Sequence, residues 1–422
     1  MLISFAATNF RSIYERQEIS FIATKHGAMP DSLLRASKIP SGLLPALAIY
    51  GANASGKTTV LRALHVFGHS IVDSYAKWKP FAKLPYDPHF FHTDEPTKFE
   101  CTFLFRNEIY RLAFSFNETK FLSESLHVGR TLVYRRNGNS YRLGDDMIGF
   151  ESIKKSTRPN SLFLSAAAQA NHPLISKIYA WFDRWDTITD NRLPEEALAG
   201  QLIQNSYLRK FLSKAIAVIA PDVTAIEPGE KPGDEPPSGV DPQLVSMMQR
   251  HTIWSNTKFV HLSADGSRTA SVYLPDESAG TQCYFALAAS IFGVLLTGGL
   301  MILDEADQSL HPSLLRSMVL LFQNPSSNPR KAQLIFNTHD TTLLSPEVLR
   351  PDQIWFTERD LSGSSRIYCL ADFKGIRSDT KAERAYLEGR FGAVPFLERH
   401  TQLFAEELAV KSKGKNEKTS HP

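Results

Sequence analysis

Residues 51–58 read GANASGKT, and this stretch decides how the rest of the chain is read. It is a complete Gly-x4-Gly-Lys-Thr pattern, and each residue type in it has a physical task. Gly51 and Gly56 permit backbone angles that aim amide N–H groups at phosphate oxygens. A helix starting at the end of the loop presents its positive N-terminus to the same anion. Lys57 reaches the β- and γ-phosphates as a mobile cation, and the Thr58 hydroxyl is a ligand for Mg²⁺. Asn53, Ala54, Ser55 and Thr59 complete the cradle. The context agrees. Ala46–Tyr50 (ALAIY) is a short apolar run suited to a buried strand, and Thr58–Asp73 has helical periodicity. The pattern predicts a P-loop with ATP and Mg²⁺ as cofactors, and ATP hydrolysis as the reaction.

Hydrolysis needs carboxylates, and Leu300–Glu305 (LMILDE) supplies them. Four apolar residues make a strand buried on both faces, as a central parallel strand is. Two acids at its end are costly unless they serve a cation. Asp304 is placed to hold Mg²⁺ through water, and Glu305 to orient and deprotonate the attacking water. Residues 333–340, QLIFNTHD, repeat the design. An apolar strand ends in a polar cluster with His339 at its tip, placed to contact the γ-phosphate or fix the water.

Outward from these motifs, the pattern predicts an α/β P-loop fold with an antiparallel β subdomain and an inserted helical lobe. Phe99–Phe105, Ile109–Phe116, Phe121–Val128 and Thr131–Arg135 alternate or are β-rich, with Arg-Asn, Asn-Glu and Asn-Gly turn signals between them. Residues 173–221 are helix-rich, and the aromatic set Tyr179, Trp181, Phe182 and Trp185 reads as core. Residues 228–242 (PGEKPGDEPPSGVDP) read as a loop. Strands resume at Thr257–Leu262 and Thr269–Leu274, followed by a helix over Thr281–Leu296 and alternating α/β elements to residue 370. The divisions expected are 1–170 and 251–405 as two halves of an ATPase head, 171–250 as the inserted lobe and 406–422 as a basic, disordered tail.

Composition narrows the class. The chain has 422 residues, a net charge of +3 and three scattered cysteines, Cys101, Cys283 and Cys369. No disulfide framework or metal-spaced Cys/His cluster is visible, which points to a reducing cytosol. The most apolar stretch, Tyr284–Leu303, is broken by three glycines and runs into Asp304. It reads as a buried helix and strand, not a membrane span.

Glu277–Gln282 (ESAGTQ) precedes the helix that leads to the Asp-Glu strand. A serine hydroxyl and a glycine N–H at a helix N-terminus make a second anion site. One chain does not need two γ-phosphate sites, but two facing chains do. Each would offer its Ser278–Gly280 edge to the other's P-loop. The order GANASGKT, ESAGTQ, LMILDEADQSLHP, IFNTHD resembles ABC-type ATPase heads. The opening ATNFRS and the phrase DEADQSLHP resemble the SMC/RecF/OLD branch, which implies that Asn9, Arg11 and Ser12 lie by the nucleotide. EPTKFECTF at 95–103, NSLFLSAAAQANHP at 160–173 and YLEGRFGAVPFL at 386–397 resemble stand-alone bacterial ATPases of phage-defence and abortive-infection operons, the RloA/AbiL-like group.

The signature departs from the branch in having Ala279 and no leucine before the serine. Gln169 is the candidate for the branch's Q-loop glutamine, and Asp307 for the residue crossing the dimer interface. The resemblance implies an ATP-sandwiched homodimer, with a separate effector such as a nuclease or RloB-like protein. The alternative is a RecF-like repair ATPase that binds DNA through a basic groove near Arg130–Arg136 or Lys154–Arg158. A single-chain OLD-type nuclease would need a further domain, and only 83 residues follow His339.

Overall fold

The computed structural model describes residues 1–25, 29–147, 149, 151–188, 205–228, 255–308, 310–376 and 381–394. Most of residues 228–242 and all of 406–422 lie outside them. Two sheets carry the fold. The first runs β10-β9-β8-β7-β6-β1-β2 and is antiparallel. Its strands are β1 Leu2–Thr8, β2 Gln17–Ser20, β6 Thr97–Phe105, β7 Glu108–Phe116, β8 Phe121–Val128, β9 Thr131–Asn137 and β10 Ser140–Leu143. The second runs β11-β15-β16-β5-β17-β18, parallel except for its last pair. It is built from β5 Ala46–Tyr50, β11 Asp186–Ile188, β15 Leu300–Leu303, β16 Gln333–Asn337, β17 Ile354–Arg359 and β18 Ser365–Cys369. The short hairpin β3 Leu34–Ala36 and β4 Ile39–Leu43 lies apart. So does the small sheet of β12 Val223–Glu227, β13 Lys258–Leu262 and β14 Thr269–Tyr273.

The apolar runs at β5, β15 and β16 are buried along their whole length. Side chains on a strand alternate between faces. Leu47, Ile49, Leu300, Ile302 and Ile335 therefore enter the core shared with the antiparallel sheet, while Ala46, Ala48, Tyr50, Met301, Leu303, Leu334 and Phe336 enter the opposite core. Between the two sheets lies α1, Lys57–Ala76, the helix that begins at the P-loop. Its Phe67 stacks on Phe114 with ring centroids 5.1 Å apart and meets Phe5 and Phe182 edge-on. The helix Ile175–Phe182 packs on the same side, and Tyr179 donates to the Val72 carbonyl (2.8 Å). The aromatic set is thus core of the head itself.

The helix Ala279–Thr297 meets the length and composition of a membrane span, yet most of it is buried. Leu287, Ile291 and Val294 face the second core. Phe285, Ala288 and Phe292 face a third, formed with the helix Ser206–Ile216 and the small sheet.

One side chain ties the two large sheets together. The Gln333 carboxamide, at the start of β16, accepts from Leu2 N (2.6 Å) and donates to the carbonyls of Leu2 (3.0 Å) and Leu44 (3.2 Å), all away from water. Gln333→Leu keeps the volume and strands those three groups. We expect a loss of about 2–4 kcal/mol of unfolding free energy, read from the urea midpoint. An unchanged midpoint would remove Gln333 as the tie.

Candidate nucleotide site

At the carboxyl end of β5 the chain turns through the loop into α1. Gly56 adopts φ 110, and a Cβ there would run into Ser365 Oγ, with Ser12 Oγ only 3.0 Å away. A Cβ at Gly51 would lie 2.5 Å from both Ser55 Oγ and the Thr357 carbonyl. Glycine is thus required by the close approach of the chain's opening and of β17–β18. Ser12 Oγ donates to Thr59 Oγ1 (3.0 Å), and Ser365 Oγ reaches Ser12 Oγ (2.8 Å) and the Ser55 carbonyl (2.7 Å).

Asn53, Ala54, Ser55, Gly56, Lys57, Thr58 and Thr59 line a cleft of about 480 Å³ with Arg11, Ser12, Glu305, Asn337, His339 and Arg359. Lys57 Nζ donates to the carbonyls of Gly51 (2.8 Å) and Ala52 (3.1 Å). Burial pushes its pKa down, while Asp307, Asp304 and Glu305 pull it up. Thr58 Oγ1 lies 3.1 Å from Asp304 Oδ1, so a hydroxyl and a carboxylate meet at the loop's foot. These are hard oxygen donors of the kind Mg²⁺ takes, one carboxylate being usual when phosphates supply the rest.

Asn337, at the end of β16, donates from Nδ2 to Asp304 Oδ1 and accepts from the Glu305 amide at Oδ1. Glu305 sits at φ 51, in the left-handed region, and its carboxylate accepts from Gln308 Nε2. The amide of His339 donates to Asp307 Oδ1 (3.2 Å). Burial first and Lys57 second hold the His339 pKa below its ordinary 6.5, against Asp307 and Glu305.

The structure separates the three residues of the opening motif. Arg11 and Ser12 line the cleft, with Arg11 paired to Asp87 (3.2 Å). Asn9 does not. It is buried, its Nδ2 donating to the carbonyls of His92 (3.0 Å) and Glu95 (2.6 Å) and its Oδ1 accepting from the His89 amide (2.9 Å). The expected contact with nucleotide is corrected here: both ends of the carboxamide are engaged in holding the 89–95 loop. Gln169 stands beside Tyr179, also away from the cleft. Ser278 caps the helix Ala279–Thr297, its Oγ accepting from Thr281 N (3.1 Å); neither it nor Gly280 lines the cleft of its own chain.

Sequence reading missed Asn337, Arg359 and Ser365. Only Asn337 carried a signal, as a polar residue closing a buried strand. Of the basic groove suggested at Arg130–Arg136 and Lys154–Arg158, Arg130, Arg135 and Lys155 are exposed, whereas two arginines turn inward. Arg136 is buried on the carbonyls of Gly138, Ser161 and Arg158, and Arg158 holds the carbonyls of Ser74, Tyr75 and Trp78 at the end of α1.

A strand–loop–helix phosphate cradle, with an Asp-Glu pair on the strand two places away in a parallel sheet, defines a P-loop nucleoside-triphosphatase fold. The model of the family "AAA domain, putative AbiEii toxin, Type IV TA system" matches residues 47–345, and the chain belongs to that family of AAA-type ATPase domains. No curated protein matches. Among solved structures, the SMC head domain from Thermotoga maritima is 12% identical over 87% of this chain and 98% of its own, with a TM-score of 0.41. The Smc head domain with an extended coiled coil from Pyrococcus furiosus, bound to the C-terminal domain of ScpA, is 12% identical over 87% and 96%, with a TM-score of 0.39. Neither likeness assigns a role to any residue here.

Two measurements test the geometry. Asn337→Ala frees both acids to rotate. ATP turnover should fall by on the order of 10²-fold, with nucleotide affinity nearly kept; equal loss of both would make Asn337 a binding residue. In an NMR titration of the nucleotide-free protein, His339 should lose its proton below pH 6.5. Folding disfavours the charged ring, so its contribution to stability is full above 6.5 and falls as pH drops below it. Lys57→Met removes one depressing charge and should move the midpoint up; a midpoint unmoved by that change would exclude the coupling.

Proposed function

We propose that this protein is an ATP-gated dimeric switch that binds MgATP at Gly51–Thr58 and hydrolyses it with Glu305. One observation carries the reading. The cleft holds the phosphate cradle and the acids of its own chain, whereas the Ser278–Gly280 edge stands outside it, with Ser278 exposed at a helix N-terminus. The site reads as one half of a composite, closed by that edge of a second copy.

Residue roles follow from the geometry. Lys57 exchanges its two loop carbonyls for β- and γ-phosphate oxygens. Thr58 and Asp304 would hold Mg²⁺, directly and through water, and the bound ion would neutralise charge building on the phosphates. Glu305 takes the proton of the attacking water as general base, and His339 orients the γ-phosphate from the end of the neighbouring strand. Arg359 brings a cation to the mouth of the cleft. Asp307, bonded to the His339 amide, is suited to pass a signal across the dimer seam.

We read the output as control of a separate effector, such as a nuclease or RloB-like protein, in a bacterial anti-phage system. The family description, which speaks of a putative AbiEii toxin and a type IV toxin–antitoxin system, supports this reading over a RecF-like repair role.

Glu305→Gln should retain ATP and accumulate a dimer on size-exclusion chromatography with light scattering. Lys57→Ala should lose ATP binding in calorimetry. Turnover at the wild-type rate in Glu305→Gln removes the general base; ATP-independent dimerisation removes the gate.

A further inference from the structure

A second cleft lies at the other end of the parallel sheet, where β15 and β16 begin. It encloses about 480 Å³ and is lined by Arg35, Arg106, Arg184, Arg330 and Lys331, with Asn107, Phe105 and Trp181 among the remainder. No carboxylate lines it. The five cations come from four separate parts of the chain: the β3–β4 hairpin, the β6–β7 turn, the start of β11 and the approach to β16. All five are exposed.

None of the five forms an ion pair among the described residues. Their contacts are with neutral groups. Lys331 Nζ donates to the Arg35 carbonyl (2.8 Å), Arg35 to the Pro30 carbonyl (3.0 Å) and Arg184 to the Thr297 carbonyl (3.1 Å), while the Arg106 guanidinium lies over the Phe105 ring (5.7 Å). Of the nearby acids, Glu108 pairs with Lys38 (3.3 Å), and Asp183 and Asp186 line an adjoining cleft that shares Arg184 and Thr297 with this one.

Like charges gathered around one concavity repel each other, and the walls between them concentrate the field. The chain as a whole carries only +3, so this convergence is local. Arg106 and Lys331 also occupy left-handed backbone at φ 49 and φ 60, conformations unfavourable for residues with a Cβ. An anion relieves the repulsion. Four guanidinium forks match the paired oxygens of a phosphate ester in a way that ammonium groups do not. A volume of several hundred cubic ångströms is ligand-sized, larger than one free phosphate. An acidic protein surface fits less well. Among the described residues, the large exposed hydrophobic side chains lie elsewhere, leaving the cleft without the apolar centre that protein interfaces have.

We propose that this cleft is a second phosphate site, taking a ligand with several phosphate groups: a nucleic-acid strand threaded through it or a small polyphosphorylated molecule. The site is distinct from the P-loop, and the proposal does not rest on the ATPase reading.

The test uses the full chain, without ATP. A fluorescein-labelled 20-nucleotide single-stranded oligonucleotide is titrated by anisotropy at several salt concentrations, and inorganic polyphosphate is titrated by calorimetry. Both are repeated on Arg106→Glu/Arg330→Glu and on Lys57→Ala. Oligonucleotide binding that weakens at least about tenfold in the double variant, with its log–log salt slope reduced by about 1.4 for two lost contacts, assigns a strand to the cleft. Polyphosphate binding lost in the double variant but kept in Lys57→Ala, without oligonucleotide binding, assigns the small ligand. Binding of neither probe, or binding unchanged by the double variant, overturns the proposal, as does polyglutamate binding as tightly as either probe at equal ionic strength. Thermal unfolding and ATP turnover of the double variant should match wild type. If it fails to fold, Arg106→Ala and Arg330→Ala singly carry the same comparison.

Discussion

The Asn337 carboxamide donates to Asp304 and accepts from the backbone amide of Glu305, and the polar end of the sheet is organised around that pair of bonds. Two carboxylates at the end of a buried strand repel each other, and the half-buried Asp304 also gives up hydration while Glu305 stays exposed. An isolated buried charge is costly enough that a group usually titrates instead. Here Asp304 finds a hydroxyl on Thr58 and an amide on Asn337, and Glu305 turns at φ 51 toward the cleft. The left-handed turn at Glu305 is the local cost of pointing the two acids in different directions from adjacent positions. One side chain on the neighbouring strand thus separates their surroundings, which is what distinct roles require.

The same logic governs Lys57. A mostly buried ammonium needs partners, and without nucleotide it has two loop carbonyls and three nearby acids. Phosphate oxygens offer stronger, charge-assisted bonds in the same place. On the proposed reading, nucleotide would therefore replace an existing solvation shell and not fill a bare site. The loop that supplies this shell is held from behind by Ser12, Ser365 and Thr357, so its shape depends on residues far away in sequence.

How much of this was legible follows from where each constraint lies. The P-loop, the Asp-Glu strand and the strand before His339 are short-range patterns; β5 and β15 have the expected bounds to the residue, and β16 lies in the apolar run before His339. The antiparallel strands were equally visible, because alternation and turn residues are local. Asn9 was misplaced because a motif says which residues cluster, not which way each side chain turns. At φ 49 its carboxamide points into the 89–95 loop and away from the nucleotide. Ser365 and Arg359 were invisible because they reach the site on the return of β17–β18, more than three hundred residues after the loop. The inward bonding of Arg136 and Arg158, and the gathering of five other cations at the far end of the sheet, are tertiary facts that charge counting along the chain cannot supply.

The helix Ala279–Thr297 connects the two ends. Its N-terminus carries Ser278 and Gly280, the edge proposed to meet a second copy's nucleotide. Its C-terminus, Thr297 and Gly298, lines the basic cleft and is gripped there by Arg184. Nineteen residues make a rod of about 28 Å, packed on two cores along its length and so more able to shift as a body than to bend. Linkage then fixes what coupling must look like. If a phosphate-rich ligand at the cleft strengthens ATP-dependent dimerisation by some factor, ATP must strengthen that ligand's binding by the same factor. The reciprocity holds for affinities and not for turnover. Measuring the cleft ligand's affinity with and without ATP in Glu305→Gln, where hydrolysis is blocked, therefore separates a coupled switch from two sites that merely share a helix.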